Sequence, residues 1–184
     1  MNNLNILLIN SAYVKKRSTV MANVEDNILT PAIFIAQDVN IQTILGTNLY
    51  DEMIGEFNDY RLHTLSGGTD PITTFVESRF ITLVDNYIQP CVLFWTLTEV
   101  AYDLYQKNTN KGMVTQSSTD NSDPVDFKIV EKRKAEWKNK AEYYSERLLK
   151  YLINNSSTYP LFYSANTDIQ SKSSTNYFCG LYLR

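Results

Sequence analysis

The sequence predicts an all-α fold: a helical bundle of four to five helices flanked by extended N- and C-terminal arms. Three observations predict it. Apolar residues recur at three- and four-residue spacing across residues 23–154, Asp-Pro pairs at Asp70-Pro71 and Asp123-Pro124 read as helix starts, and the segments on either side carry no helical stripe. A chain of 184 residues is most simply one domain, long enough to bury roughly two thirds of the surface its unfolded form exposes. Its parts are an arm at 1–22, a helical core at 23–154 with a polar insert at 108–123, and an extended tail at 155–184.

Residues 6–9 and 13–20 lean toward β structure. The arm is therefore read either as a strand to be added to a neighbour or as a terminus docked on its own subunit. The core opens with two helices, at about 26–44 and 47–60. Ile28, Ala32, Ile35, Ala36 and Val39 fall along one side of the first, and Ile41, Ile44 and Leu45 extend the apolar run to Gly46, which stops it. Pro31 leaves two starts open: Asp26 or Asn27 caps an early turn, or Thr30 caps a helix with Pro31 in its first position. Thr47 can cap the second helix, whose stripe is Leu49, Met53, Ile54 and Phe57.

Residues 61–69 read as a loop, tightest at Gly67-Gly68. A helix is then expected from Asp70-Pro71, burying Ile72, Phe75, Val76, Phe80, Leu83, Val84 and Tyr87, with a kink or restart at Gln89-Pro90. Every residue over 91–95 is apolar, and Leu97, Val100, Ala101, Leu104 and Tyr105 continue the pattern. This helix is expected at the centre of the core or in a subunit interface. The insert at 108–123 is long enough to be functional or disordered. Asp123-Pro124 starts the last helix, with Asp126 in its first turn. The helix runs to about residue 153 on a buried side of Val130, Trp137, Ala141, Tyr144, Leu148 and Leu152.

Composition narrows the function. A net charge of −3 and a pI near 5.2 lack the basic footprint of a dedicated nucleic-acid binder, though the wall of a DNA channel remains compatible. Cys91 and Cys179 form no disulfide framework and read as free thiols in a reducing cytoplasm. The apolar run at 4–9 is too short to span a membrane and its basic residues follow it, so neither a signal peptide nor an anchor is expected. Thirteen tyrosines and eight phenylalanines favour an assembling protein, because a tyrosine ring adds buried apolar area while its hydroxyl keeps a polar contact.

No phosphate-binding glycine loop, dinucleotide fingerprint, zinc-spaced cysteine pair or helical histidine pair occurs, so no catalytic, cofactor or metal residue is assigned and no enzyme activity is expected. His63 stands in the glycine-containing loop without a nucleophile partner. Glu99 and Asp103 share a helix face, but no Glu-x-x-His motif completes a carboxylate site. Lys128, Lys132, Arg133, Lys134, Lys138 and Lys140 form the one basic concentration, read either as a solvated face or as a docking patch for an acidic surface or passing DNA. Tyr159, Phe162, Tyr163, Tyr177, Phe178 and Tyr182 are many rings for a Ser-rich segment. They are assigned, with Lys128, Lys132, Arg133, Lys134 and Lys138, to an interface.

The helix order from about Asn23 to Pro160, the Ala36-Gln37-Asp38 triplet followed by Ile44-Leu45-Gly46, and the polar insert together resemble the head-tail connector (adaptor) proteins of tailed bacteriophages. The likeness is greatest to the connector or ring proteins of the crAss-like phages. The resemblance implies a cofactor-free virion component that forms a ring, usually twelve-fold, at the neck. Its partners would be the portal protein, further copies of itself and the next neck or tail ring. Genomic DNA would pass through the lumen without sequence-specific contacts, no membrane would be involved, and assembly would take place in the host cytoplasm. A tail-completion or stopper protein of the same particle is the alternative. A small helical enzyme or regulatory module, with its site in the 61–69 loop, is the more distant one.

Overall fold

Helix formation in this chain begins earlier than the apolar pattern announces. Asn10 turns its side-chain oxygen onto the Tyr13 amide at 2.8 Å and so caps a seven-residue helix, α1, over Ser11–Arg17. The structure, a computed structural model, describes residues 6–20, 23–109, 112–115, 126–163 and 168–171. Beyond α1 it contains α2 (Asp26–Ile35), which runs on through a π-helical turn (Ala36–Ile41) into α3 (Gln42–Leu45), and then α4 (Thr47–Leu65). Next come α5 (Ser78–Leu83), a second π-helical turn (Val84–Ile88) and α6 (Gln89–Val100), again without interruption, and finally α7 (Phe127–Asn154). Short 3₁₀ turns lie at Ile72–Thr74 and Pro160–Tyr163. The fold is all-α, with five continuous helical bodies among the described residues.

The core is organised on α6. Cys91, Val92, Leu93, Thr96, Leu97 and Val100 are buried, with α7 on one side and α2 and its π turn on another. The α7 helix runs antiparallel to α5 and α6: Tyr87 stacks on Tyr151 at 3.9 Å between ring centroids, and Phe94 on Tyr144 at 5.3 Å. On α4 the expected stripe is in place, with Leu49, Met53 and Ile54 buried and Phe57 packed against the core. Gly46 separates α3 from α4 at φ +78°, a conformation that costs other residues a steric penalty. By length and composition Asp26–Leu45 could cross a bilayer, but Leu29, Ile33, Ala36, Ile41 and Leu45 are spent on the protein core.

Several expectations are corrected. Of the two readings of the N-terminal arm the docked one holds among the described residues, since Leu8, Ile9, Val14 and Val20 are all buried, but the stretch from Tyr13 that leans toward β structure is helical as far as Arg17. On α2 the buried face is Leu29, Ala32, Ile33 and Ala36. Ile35 and Val39 are 47% and 60% exposed, because two apolar stripes one residue apart compete and packing on α6 selects the other one. Of the two starts left open for α2 the early one occurs, but neither Asp26 nor Asn27 is its cap. The helix begins at Asp26 after an uncapped Glu25, and Pro31 is its sixth residue.

The helix does not restart at Gln89-Pro90. The Gln89 amide reaches back five residues to the Val84 carbonyl, and this wider turn carries the helix past a proline that has no amide to donate. Asp70-Pro71 starts only a 3₁₀ turn, and α5 begins at Ser78. The amide of Glu77 is taken by Glu56 of α4 at 2.7 Å, so the end of this helix is satisfied across space instead of by a local cap.

The expected loop at 61–69 is helical as far as Leu65. Residues Gln106–Thr109 (β1) and Gly112–Thr115 (β2) form an antiparallel hairpin that starts just before the expected insert and runs into it, with Gln106 opposite Thr115. The rest of the insert, with Asp123 and Pro124, lies outside the described residues. At the start of α7 the capping side chain is Asp126, which accepts the Lys128 amide at 3.1 Å.

Candidate interaction surface

The α7 helix is 28 residues long, about 42 Å at the rise of an α-helix, and its two halves differ in burial. Its buried residues, Ala141, Leu148, Leu149 and Leu152, all belong to the second half. The first half, 127–140, touches the body through a thin stripe. Phe127 stacks on Tyr102 at 5.8 Å, the Lys134 ammonium sits 3.9 Å from the centre of the Tyr102 ring, and Lys140 lies 5.6 Å from that of Phe94. Ile129 is 60% exposed, and an open groove farther along the helix is lined by Phe94, Glu136, Asn139, Lys140, Tyr143 and Tyr144.

Six basic and two acidic side chains belong to this first half. Lys128, Lys132, Arg133 and Lys138 are exposed, and Lys134 is half-buried under its cation–π contact. Arg133 and Lys138 meet Glu136 and Glu142 of the same helix at 3.7 and 3.8 Å. At such exposure these pairs contribute at most about 1 kcal/mol each. The patch therefore keeps an excess of positive charge that its own subunit does not neutralise among the described residues.

The tail residues separate into three groups. Tyr159 and Phe162, assigned above to an interface, are instead fully buried in the core. The Tyr159 hydroxyl donates to the Arg79 carbonyl at 2.9 Å, and its ring packs near Phe80. Tyr163 is 51% exposed. Tyr177, Phe178 and Tyr182 lie outside the described residues. The chain folds back after the Pro160–Tyr163 turn: the Thr47 amide donates to the Ile169 carbonyl at 3.0 Å and the Thr47 hydroxyl to Asp168, while Ser171 rests against Gly46 and donates to the Phe162 carbonyl.

Arg79, which sequence reasoning missed, ties this return to α4. Its guanidinium donates to Glu77 at 2.6 Å, to the Thr158 carbonyl at 2.7 Å and to Glu52 at 3.1 Å, and stands 4.4 Å from the centre of the Phe80 ring. His63 lies 3.0 Å from an Asp70 oxygen without hydrogen-bond alignment and packs on Phe75 at 4.3 Å between centroids. It braces the segment after α4. Glu99 and Asp103 are exposed. Among the described residues no three His, Cys, Asp or Glu side chains converge as a metal-ligand set.

Residues 41–169 match a family described as Family of unknown function (DUF6712), which is most of the chain. The chain belongs to this family. No curated protein and no solved structure matches it. The DUF6712 region takes in α4 to α7 and the Pro160–Tyr163 turn, and its far boundary, Ile169, is the residue whose carbonyl holds Thr47 near the beginning of the match. Helices α1 and α2 precede it.

Proposed function

We propose that this DUF6712 chain is a structural subunit of a phage neck, a head-tail connector or adaptor that joins the portal ring to the tail or to the next neck ring. The observation that carries the reading is the first half of α7, a helical segment some twenty ångströms long with no fully buried residue and an uncompensated positive charge, which lies on the body only through Trp137 and a few ring contacts and turns its basic face outward. The resemblance of residues 23–160 to connector proteins supports the same reading. The mechanism is geometric. Each copy is a rigid helical wedge, the basic face of α7 reaches a neighbouring copy or ring, and DNA passes through the lumen without base-specific contacts. Closure of such a ring requires heterologous contacts, in which one surface of a subunit meets a different surface of the next.

The test is binding to the cognate portal ring, followed by sedimentation and negative-stain imaging. The chain alone is expected as a monomer or small oligomer and as a ring on the portal. Changing Lys132, Arg133, Lys134 and Lys138 to Glu is expected to leave helical circular dichroism unchanged and to abolish ring formation. Absence of portal binding at every salt concentration would remove the connector reading.

A further inference from the structure

Gly55 lies in the middle of α4, on its exposed face, and a Cβ added there would meet no atom within 4 Å. After proline, glycine is the residue a helix interior tolerates least, and here nothing among the described residues requires it. Asp51 and Asp59 stand one turn to either side, both exposed and neither in an ion pair among the described residues. As a whole α4 carries four carboxylates against one arginine. The outer face of 127–140 has a matching design of opposite sign: Ala135 is exposed, with Lys132 three residues before it and Lys138 three after.

These two faces cannot meet within one copy. Arg79, at the start of α5, binds Glu52 of α4 and the Thr158 carbonyl beyond the end of α7, while Tyr102, beyond the end of α6, carries Lys134. The uninterrupted helix between these points is roughly 30–35 Å long. The acidic face thus begins at one end of the antiparallel pair and the basic face occupies the other.

We propose that the Asp51–Gly55–Asp59 face of α4 receives the Lys132–Ala135–Lys138 face of α7 from a second copy of the chain, head to tail. Glycine against alanine lets the two helix axes approach closely, and the flanking aspartates then meet lysines. Exposed charge pairs alone are too weak to hold such a contact, which is why the small residues matter: they let the flanking side chains be covered. The proposal rests on the connector reading only in supplying the contact between copies that a ring needs.

The experiment uses the full chain without portal, followed by analytical ultracentrifugation over a concentration series at low and high ionic strength. Wild type is expected to self-associate at low ionic strength and to dissociate in high salt. Gly55→Leu should raise the thermal midpoint of the monomer, because leucine is the better helix former in open space, while self-association is lost. The pair Asp51→Lys with Asp59→Lys, and the pair Lys132→Glu with Lys138→Glu, should each be monomeric and natively helical by circular dichroism, and an equimolar mixture should regain association.

A Gly55→Leu chain that associates like wild type, a mixture that stays monomeric, or a wild type that never associates would overturn the interface. Portal binding is scored separately. A chain that binds portal without rescue in the mixture retains the connector reading and loses this contact, whereas rescue without portal binding does the reverse.

Discussion

Gln37 holds Leu8 to the body of the protein from 29 residues away. Its side-chain oxygen accepts the Leu8 amide at 2.7 Å, its side-chain nitrogen donates to the Ile6 carbonyl at 2.9 Å, and the side chain itself is buried. One glutamine thus satisfies two backbone groups of a segment that has no strand to pair with. Replacing it by the nearly isosteric Met leaves a buried amide without a partner, at a cost of about 1–3 kcal/mol. Denaturant unfolding is expected to show this loss, and limited proteolysis faster cleavage near residues 6–10. A Gln37→Met variant with wild-type stability and protection would show that the N-terminal segment is held by its apolar residues alone.

Tyr159 is the second place where the tail enters the core. Tyr159→Phe removes the bond to the Arg79 carbonyl and the longer 3.4 Å contact with the Tyr151 hydroxyl and is expected to cost about 1 kcal/mol, whereas Tyr159→Ala empties a buried ring site and should cost about 3–5 kcal/mol. A chain ending at Thr175 retains Tyr159, Phe162 and the Thr47 contacts, and should keep its helical content and most of its thermal stability. One ending at Asn154 should not fold stably. Circular dichroism melts distinguish these outcomes, and equal melting of the two truncations would refute the core role of the Pro160–Tyr163 turn.

Two carboxylates, Asp26 and Asp51, are shifted in opposite senses. Hydrogen bonds from Lys15 and Ser11 hold Asp26 below its ordinary 3.8. A depressed folded pKa gives stability that is present above the unfolded pKa and lost as pH falls through the folded value, so the tie between α1 and α2 should weaken below about pH 4. Asp51 is raised, first by burial and then by the negative charge of Asp168. Its contribution has the opposite sign, greatest while the group is protonated and lost as pH rises through its folded pKa. Asp168→Asn should lower the Asp51 pKa part of the way, since burial remains. Carboxyl NMR titration reads this directly, and an unmoved Asp51 would exclude the coupling.

Cys91 is fully buried beside Ser145, with its sulfur 3.2 Å from the hydroxyl, and burial pushes its pKa up to about 12. The thiolate is the reactive species, so the native protein should protect this sulfur. In a Cys179→Ser background, iodoacetamide labelling should be at least about a thousandfold slower in native buffer than after unfolding, as a stability of several kcal/mol requires. Rapid native labelling would mean that α6 and α7 separate locally.

Much of the fold was legible locally. Leu49, Met53 and Ile54 on α4, Cys91, Val92 and Leu93 of the apolar run on α6, and Ala141, Leu148 and Leu152 on α7 are buried as their spacing predicts. The basic half of α7 could also be read directly, because six positive side chains in 14 residues are a property of composition. The Asp51–Gly55–Asp59 pattern was equally visible at four-residue spacing. It acquired meaning only once the space around a Cβ on Gly55 was seen to be open among the described residues.

The sequence by itself determined the helical class, the order of the long helices and the break at Gly46, since periodicity, glycine and proline act over a few residues. Tertiary structure decided which of two adjacent stripes on α2 was buried, leaving Ile35 and Val39 outside, and drew Tyr159 and Phe162 into the core. It also supplied the partners that ended or anchored segments: Glu56 for the Glu77 amide, Gln37 for Leu8 and Ile169 for Thr47. The physical reason is the same in each case. An apolar face or a free amide records that something must cover it, and the residue that does so lies tens of positions away, where no local pattern can point.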